Sequence, residues 1–516
     1  MNRRRFIEVG ASIGMAAGLS RPSQAKKRPN VLLLFADQHN ARIMGCDGHP
    51  EVKTPNFDRL AQEGVRFART YCQDGICIPS RNSLMTSQYP RTLGMFNNTN
   101  ETPYPDRWPT MAKTFHANGY FTAGVGKHHM KNLDGGWDWK VSTLPPSHCT
   151  ADEYYLDWIA DRGQLDAYEG DSKGGFNSPL FSHVSKLKPE NTVEAFTASK
   201  AIEALGKASK SGKPFFVWCS FQRPHQPYTP PKLWADMYDP ARITLPASIH
   251  EPADHLPPHL NNWRNNPRMP WCGALAAKDE TMYRRFIAYY YSLVTEIDHH
   301  IGTILDELDR LSLRDNTIII YTSDHGDFVG YHGMWEKCAL GHNIYEDTLR
   351  VPLIFNWPAK IKPGRTRHDL VELVDLFPTV PEFTGITLPK NHRLVGRSLV
   401  PTLLNDTPVG RDYVISENWS QTTVITDRYK LGTWVETAFP NFDFRKFGDM
   451  MFDRERDPLE LDNVRGKKGY DKIETKLRGY IAEFESNVSR EGRDINYPKS
   501  FPARFTKQSK QKPKKT

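Results

Sequence analysis

The sequence predicts an α/β protein, with a large, mostly parallel sheet flanked by helices and a smaller C-terminal domain of antiparallel sheet plus helix. Two patterns predict this fold class. Up to about residue 407, continuous apolar runs alternate with helical segments, which is typical of parallel strands buried on both faces. From about residue 408 the runs become short and are separated by turns, which indicates antiparallel strands. We therefore expect a main domain over residues 26–407 and a second domain over residues 408–500.

Four strands of the main domain are predicted from apolar runs at residues 31–36, 120–125, 214–219 and 317–322. Polar side chains follow each of these runs. Ligands of such sheets bind outside the carboxyl ends of the strands, so four polar endings at one edge predict a catalytic site. The candidate residues at these endings are Asp37, Gln38, Lys127, His129, His225, Asp324 and His325.

The remaining elements are predicted from periodicity and turn signals. Helices are expected over residues 54–63 and 193–208, and along a longer segment with apolar positions from 287 to 308. Residues 64–67 are expected to lead to a short strand, a Pro/Gly-rich turn is expected at 358–364 after the stretch 351–355, and a helix at 370–377. In the C-terminal domain we expect strands at 413–415, 422–425, 429–431 and 450–452, and a closing helix at 472–484.

A cysteine precedes a helix-capable stretch in the segment Cys77-Ile78-Pro79-Ser80-Arg81. Proline is tolerated in a first helical turn, because its missing N–H would be unpaired there. Cys77 would then lie at a helix N-terminus, where free N–H groups and the helix dipole favour negative charge. We interpret it as a group that takes part in chemistry; a buried structural cysteine is the alternative.

The two ends of the chain carry most of its positive charge. Residues 1–25 contain paired arginines, a weakly apolar run and small residues before Ala25, which predicts a twin-arginine-type export signal and a periplasmic protein. The apolar run is too short for a stable membrane span. Residues 501–516 form a basic tail that we expect to be disordered. Of the net charge of +8, residues 1–25 supply +3 and residues 503–516 supply +6, which leaves a near-neutral body and gives no argument for a nucleic-acid partner.

Seven cysteines are scattered along the chain without metal-type pairing. In an exported protein, an odd number leaves at least one thiol unpaired or modified. Cys72 and Cys77 are close enough in sequence for a disulfide, and the sequence does not decide between the bridge and two free thiols.

The polar strand endings together suggest a metal site beside an anion site. Oxygen ligands from Asp37, Gln38 and Asp324 suit a hard cation, and His325 would add an imidazole. A metal with nearby cations would bind a tetrahedral anion and stabilise charge as an S–O or P–O bond breaks. Taken singly, each lysine could be a surface charge and each histidine a structural one. The cationic or proton-transferring candidates are Arg81, Lys127, His129, His225 and Lys337.

The segment Cys77-x-Pro79-Ser80-Arg81-x-x-Leu84-x-Thr86 resembles the signature of the sulfatase family, within the alkaline-phosphatase-like superfamily. The resemblance extends over almost the whole mature chain, including the four strand endings and the region around Asp324. It implies that residues 26–407 form the catalytic domain. It also implies that the cysteine is converted to Cα-formylglycine by a separate formylglycine-generating or radical-type maturation enzyme. The hydrated aldehyde is the nucleophile in this family, and its second hydroxyl drives release of sulfate.

The resemblance also implies roles for the candidate residues. Modified Cys77 would bind Ca²⁺, with Mg²⁺ as the alternative, together with Asp37, Gln38, Asp324 and His325. Arg81 and Lys127 would steady the formylglycine, and His129 would take the proton that collapses the hemiacetal. His225 and Lys337 would hold the sulfate, and one or both would assist the leaving oxygen.

Two positions depart from the family pattern. Ser87 replaces the usual Gly, and Gln38 stands where a second Asp is common, which removes one negative charge from the metal site. The substrate expected from export and from the tryptophan and tyrosine content is a sulfated carbohydrate. Alternatives are a phosphonate or phosphate ester hydrolase of the same superfamily, or a non-catalytic glycan- or anion-binding protein. Residues that could meet the alcohol part of the substrate are Asn97, Asn98, Arg223 and Trp335.

Overall fold

The structure is a computed structural model that describes residues 27–177, 181–252, 256, 260, 279–337, 343–390, 392–418, 421–434 and 448–496. The predicted export signal at residues 1–25 and the basic tail at 501–516 lie outside the described residues. Among the described residues, no helix is long and apolar enough to cross a membrane.

The described strands form one large sheet and two smaller ones. The large sheet has nine strands in the order β11-β2-β10-β8-β1-β7-β4-β5-β6, and all neighbours are parallel except at β10, which is antiparallel to both β8 and β2. The mostly parallel sheet is therefore confirmed. The strands are β1 Asn30–Asp37, β2 Val65–Phe67, β3 Thr70–Tyr71, β4 Phe121–Gly126, β5 Trp139–Ser142, β6 Glu153–Tyr154, β7 Phe215–Pro224, β8 Thr317–Ser323, β9 Arg350–Val351, β10 Leu353–Asn356, β11 Arg365–Arg367, β12 Val371–Glu372, β13 Val414–Asn418, β14 Gln421–Ile425, β15 Tyr429–Trp434 and β16 Met450–Asp453.

Helices cover both faces of the large sheet. Strand β1 shows why its apolar run is unbroken: Leu32 and Leu34 belong to the core on one face, and Leu33 and Phe35 to the core on the other. The α-helices are α1 Pro55–Gln62, α2 Cys77–Thr86, α3 Pro90–Leu93, α4 Met111–Ala117, α5 Tyr155–Ala160, α6 Leu165–Asn177, α7 Val193–Ser211, α8 Lys232–Ala235, α9 Glu280–Arg310, α10 Glu346–Leu349, α11 Leu376–Thr384, α12 Val400–Asn405, α13 Asp471–Asn487 and α14 Glu491–Asn496.

Residues 351–355 form two short strands separated by Pro352, so that β9 pairs with β3 and β10 pairs with β8. One predicted element is wrong in detail. The helix expected at 370–377 is instead β12 followed by a 3-10 turn and α11. The Asp375 carboxylate accepts a hydrogen bond from the Glu372 backbone N–H at 2.8 Å, which fixes a helical start only after this point.

The C-terminal region has the predicted antiparallel architecture. Strands β13 to β16 pair in sequence order, each antiparallel to the next. Helix α13 packs on this sheet through Leu477, Ile481 and Phe484. The exact domain limits at 407 and 408 remain predictions.

Candidate active site

The site lies at the carboxyl edge of the large sheet, where helix α2 begins. Cys77 is the first residue of α2, as predicted, and Ile76 before it is extended. The Ile78 backbone N–H donates to Asn98 Oδ1 at 3.1 Å, which satisfies one of the free N–H groups of the first turn. Every residue of α2 is buried, so this helix start is held inside the protein rather than on its surface.

Four side chains from separate elements bring potential metal-ligand atoms together. They come from Asp37 on β1, Cys77 on α2, and Asp324 and His325 directly after β8. Their ligand atoms all lie within 4.8 Å of one another, and all four side chains are buried. Carboxylate oxygens with one imidazole suit a divalent cation, so the donor set fits the metal that the sequence predicts.

Arg81 organises the two carboxylates of this group. Its Nη2 donates to Asp37 Oδ2 and its Nε donates to Asp324 Oδ2, both at 2.8 Å. Each aspartate therefore gives Oδ2 to the arginine. The Oδ1 atoms lie on the other side: that of Asp37 is 3.7 Å from Cys77 Sγ, and that of Asp324 is 3.7 Å from His325 Nε2. Asp324 Oδ1 also accepts hydrogen bonds from the backbone N–H groups of Gln38 and His325, both at 2.9 Å, which orient this carboxylate beside the shared ligand position.

Lys127 approaches the same cluster from the end of β4. Its Nζ lies 2.6 Å from Asp37 Oδ2, beside the Arg81 guanidinium. Burial raises the pKa of Asp37, but the surrounding cations, led by Lys127, outweigh it and hold this pKa well below its ordinary value. Asp37 is therefore a carboxylate, the form that binds a cation.

His325 is set up to offer one ring nitrogen to the cluster. Its Nδ1 lies 2.9 Å from the Gly326 carbonyl oxygen, which can only accept, so Nδ1 carries the proton. Nε2 is then unprotonated and lies 3.2 Å from Cys77 Sγ. Burial also lowers the pKa of His325, which favours the neutral imidazole that a metal requires.

Gln38 occupies the turn after β1 with a left-handed φ of 69°. Its Nε2 donates to Asp327 Oδ2 at 2.6 Å, and its Oε1 accepts a hydrogen bond from Lys337 Nζ at 2.7 Å. These contacts fix the amide orientation and join Gln38 to the lysine of the anion site. Its role as a metal ligand stays a prediction.

His225 and Lys337 lie together, as predicted for an anion site. His225 Nδ1 is 2.8 Å from the Gln226 carbonyl, so its Nε2 is the acceptor of a 3.3 Å hydrogen bond from Lys337 Nζ. Burial and the neighbouring lysines lower the pKa of His225, which keeps its ring neutral. Burial would lower the pKa of Lys337, but the nearby groups, led by the Glu336 carboxylate and including Cys77 and Asp37, together outweigh it and raise that pKa, so the lysine is charged.

His129 has a left-handed φ of 51°, and its Nδ1 is buried without a hydrogen-bond partner among the described residues. Burial is the largest of the effects that lower its pKa. A buried ring nitrogen with no partner is unusual and fits a residue that meets a substrate or reacting group. Because His129 Nδ1 forms no hydrogen bond with the cluster among the described residues, the role of His129 remains a prediction.

The cysteines in the described part of the chain are all free, including Cys72 and Cys77. The bridge between these two that the sequence left open is therefore not formed. Cys72 instead lies 3.8 Å from the Thr348 carbonyl. Burial, reinforced by Asp37, raises the pKa of Cys77 to about 12, so this residue is not an activated thiolate as it stands.

The residues suggested for contact with the alcohol part serve other purposes in this structure. Asn98 caps α2, and Asn97 Oδ1 accepts from the Thr99 backbone N–H at 2.7 Å in a local turn. Arg223 is buried and donates from Nη1 to the His225 carbonyl at 2.9 Å. Trp335 is 1% exposed and packs on Phe181 and Tyr228. Contact of these four residues with the substrate therefore stays a prediction.

Sequence reasoning missed several residues that hold the site together. Ser220 Oγ accepts from Arg81 Nη1 at 3.0 Å, and Tyr228 donates to Asp327 Oδ2 at 2.6 Å. Gln226 Nε2 donates to Glu336 Oε1 at 3.2 Å. The one signal in the sequence that could have identified these residues is their proximity to His225, a candidate found at a strand ending.

Fold and site together suit a hydrolase of an anionic ester, with potential acidic metal ligands at a strand edge next to a buried histidine–lysine pair. The family model "Sulfatase" matches residues 29–386, and "N-sulphoglucosamine sulphohydrolase, C-terminal" matches residues 330–487. The chain therefore belongs to the sulfatase family and is a sulfuric ester hydrolase.

Individual relatives agree with the family. The chain is 30% identical over 409 residues to iduronate 2-sulfatase of Mus musculus, covering 70% of this chain and 69% of the relative. It is 26% identical over 532 residues to N-acetylglucosamine-6-O-sulfatase of Bacteroides thetaiotaomicron, covering 92% and 89%. Among solved structures, a phosphonate monoester hydrolase from Silicibacter pomeroyi superposes with a TM-score of 0.74 at 23% identity, covering 89% of this chain and 96% of that one. At that identity the structural likeness concerns the fold alone.

Proposed function

We propose that this sulfatase hydrolyses a sulfate ester of a carbohydrate, with Cys77 converted to Cα-formylglycine and with Ca²⁺ bound beside it. The observation that carries the proposal is the meeting of Cys77 with Asp37, Asp324 and His325, whose ligand atoms lie within 4.8 Å of one another at a buried helix start. The carbohydrate part is supported by the relatives, two of which are named for sulfated sugar substrates.

Asp37, Asp324, His325 and the modified Cys77 would hold the calcium ion, with Gln38 as a further candidate ligand and Mg²⁺ as the alternative metal. When bound, the ion supplies positive charge that orients the nucleophile and a sulfate oxygen. The chain prepares this site by binding one oxygen of each aspartate to Arg81 and by orienting Asp324 Oδ1 with the backbone N–H groups of Gln38 and His325.

The hydrated formylglycine supplies an oxygen nucleophile for the sulfur and a second hydroxyl that later expels sulfate. Around it, the N-terminus of α2 provides positive potential through the helix dipole. Arg81 and Lys127 add fixed positive charge that favours an ionised oxygen at this position. His129, with a buried and unprotonated ring nitrogen available, is the residue that we assign to accept the proton of the second hydroxyl.

Lys337 and His225 would bind the sulfate on the side of the leaving alcohol. His225 carries its proton on Nδ1, which is engaged with the Gln226 carbonyl, and its Nε2 faces Lys337. The mobile proton nearest the leaving oxygen is therefore held at Lys337 Nζ. We assign Lys337 as its donor and His225 as the group that orients the ammonium.

We further propose that the protein is exported to the periplasm by its twin-arginine-type signal and that a maturation enzyme modifies Cys77. The proposal is supported by the N-terminal sequence and by family membership. Fractionation of cells that produce the full chain would test export. Protein found only in the cytoplasm, uncleaved at Ala25, would contradict it.

The central experiment combines mass spectrometry of the Cys77 peptide with sulfate release from sulfated glycans and from an aryl sulfate. We expect a formylglycine peptide, which is lighter than the cysteine form, and sulfate release from at least one glycan. Modified protein that releases no sulfate from any substrate would contradict the proposal. An unmodified Cys77 in an inactive protein that still binds the glycans would favour the non-catalytic alternative.

A phosphonate or phosphate ester hydrolase remains the competing enzyme function. The specific observation in its favour is Gln38, which makes the metal site less negative than two aspartates would. Rates on sulfate, phosphonate and phosphate esters with the same leaving alcohol would separate the two functions. A higher kcat/KM for the phosphonate ester would favour the competitor.

A further inference from the structure

The carboxylate of Glu336 is buried next to Lys337, the lysine that we assign to the anion site. Glu336 is 5% exposed, and its Oε1 lies 2.6 Å from Lys337 Nζ. The same oxygen accepts a 3.2 Å hydrogen bond from Gln226 Nε2. Neither the sequence pattern nor the mechanism above uses this residue.

The backbone of Glu336 is held in a conformation that points to a fixed role. Its φ is 62°, a left-handed value that is uncommon for a residue other than glycine. The loop clamps it on both sides, because its N–H donates to Asp327 Oδ1 at 3.0 Å and its carbonyl accepts from the Phe328 N–H at 3.0 Å. A left-handed residue maintained by its surroundings in this way is typical of functional sites.

The contacts of Lys337 show what Glu336 does to the anion site. An ammonium group has three donors, and among the described residues Lys337 Nζ has three acceptors within reach: Glu336 at 2.6 Å, Gln38 at 2.7 Å and His225 at 3.3 Å. Of these acceptors, only the Glu336 carboxylate carries a charge. It therefore fixes the direction of the ammonium and cancels part of its positive charge.

We propose that Glu336 is a specificity-determining positioning residue, which aims Lys337 and makes the site select esters with one negative charge over esters with two. This inference rests on the proposed function, because it assumes that Lys337 binds the anionic group of the substrate. A sulfate ester carries one negative charge, whereas a phosphate monoester carries about 1.5 to 2 near pH 7. The Glu336 carboxylate is hydrogen-bonded to Lys337 and therefore repels the additional negative charge of a phosphate monoester bound there. The site is buried, so water screens this repulsion little.

The charge argument predicts a selectivity by charge rather than by the central atom. A phosphonate monoester carries one negative charge, like a sulfate ester, although its central atom is phosphorus. Glu336 should therefore affect phosphonate and sulfate esters alike and the phosphate monoester differently. This distinguishes its effect from a general change in site geometry.

The test uses the full-length, formylglycine-containing enzyme and three esters of 4-nitrophenol: the sulfate, the phenylphosphonate and the phosphate. In Glu336→Gln, which keeps an accepting oxygen but removes the charge, we expect the ratio of sulfate to phosphate kcat/KM to fall about tenfold. The ratio of sulfate to phosphonate should stay within about twofold. The phosphate ester is also measured as a competitive inhibitor of sulfate hydrolysis, so that its binding is obtained even where its turnover is slow.

Two further variants separate charge from structure. Glu336→Asp retains the charge and should keep the wild-type selectivity between sulfate and phosphate. Glu417→Gln removes a different buried carboxylate, which pairs with Arg91 instead of Lys337, and should leave both ratios unchanged.

Unchanged ratios in Glu336→Gln, or equal losses on all three esters, would overturn the inference and leave Glu336 a structural residue. Its failure is distinguishable from failure of the proposed function. If the modified wild-type enzyme does not hydrolyse the sulfate ester, the proposed function fails; if it does and Glu336→Gln keeps its selectivity, only this inference fails.

Discussion

Arg81 and Arg91 are both buried arginines in the stretch after Cys77, and both pair with two carboxylates. At Arg81, the partners Asp37 and Asp324 each contribute one oxygen and keep the other directed at Cys77 or His325. We call this the catalytic cluster. Its carboxylates accept hydrogen bonds from the protein and are also grouped with Cys77 and His325 as potential metal ligands.

At Arg91, the partners come from the C-terminal domain. Both carboxylate oxygens of Glu417 on β13 accept from Arg91 Nε, at 3.2 and 3.1 Å, and Glu485 on α13 accepts from Nη2 at 2.6 Å. We call this the docking cluster and include in it Glu346, whose Oε2 meets Lys430 on β15 at 3.1 Å. In this cluster the carboxylates form ion pairs with arginine and lysine side chains of the chain itself.

The catalytic cluster and the docking cluster compensate their buried charges in different ways. Burying charges costs several kcal/mol per ion unless partners compensate. In the docking cluster the compensation comes from the chain itself and fixes how two domains meet. In the catalytic cluster the carboxylates are also grouped as potential metal ligands, so their loss should affect activity and metal binding more than folding.

The largest expected effect is at Cys77. Cys77→Ala should reduce kcat for sulfate release by at least about 10³-fold, because no other residue can supply the formylglycine oxygen. The midpoint of thermal unfolding should change little, since Sγ makes only weak contacts. Sulfate release and differential scanning calorimetry measure the two quantities.

Retained activity in Cys77→Ala would show that the catalytic cluster works without the modified residue. Cys72→Ala is the matched control, because Cys72 is also a buried free thiol nearby. It should remain active.

The second prediction concerns the metal. Removing Ca²⁺ with a chelator should lower stability, by about 2.7 kcal/mol relative to a free calcium concentration of 100 times Kd. Asp324→Asn should abolish this calcium-dependent shift, because it removes the negative charge of one of the four potential ligands. Thermal unfolding with and without calcium provides a readout that is independent of activity.

Glu417→Gln in the docking cluster is the control and should keep the full calcium-dependent shift. A shift that persists in Asp324→Asn would mean that the ion binds elsewhere. Repeating the titration with Mg²⁺ would decide between the two metals.

The third prediction concerns the docking cluster, where we expect a loss of stability without a loss of activity. Arg91→Ala should destabilise the protein by about 3–5 kcal/mol, because it leaves Glu417 buried without its cation. At temperatures below the unfolding transition, kcat/KM should remain within about twofold of wild type, since Arg91 does not touch the catalytic cluster. Urea unfolding and steady-state kinetics measure the two effects. A large loss of kcat/KM in well-folded protein would show that the two clusters are coupled.

The sequence could predict the catalytic cluster because its residues follow strands with a strong signal. The run before Asp37 is apolar on both faces, and such a strand is identified without knowledge of its neighbours. The carboxyl-edge rule then places Asp37 and Asp324 together. Cys77 at a helix start followed from Pro79 and the helix-capable stretch, and the family resemblance supplied its modification.

The docking cluster and the loop around Glu336 could not be predicted in the same way. Glu417 and Arg91 are 326 residues apart, and no local pattern links them. Glu336 owes its position to a left-handed backbone and to Asp327, both of which depend on tertiary contacts. The helix expected at 370–377 was wrong for the same reason, because Val371 and Glu372 pair with β3.

The smallest expected effect is the pH dependence of the docking cluster. Burial raises the pKa of Glu346, but Lys430 and Arg454 outweigh it and hold this pKa below its ordinary value of 4.5. Because the folded-state pKa is the lower one, the stabilisation is fully present above pH 4.5 and is lost as the pH falls through the lowered pKa. Glu346→Gln should therefore cost about 1–3 kcal/mol at pH 7, since it removes a charged hydrogen-bond acceptor, and progressively less below pH 4.5. Urea unfolding of both proteins between pH 3 and pH 7 measures the difference, and a cost that stays constant over this range would show that the carboxylate charge of Glu346 does not hold the domains together.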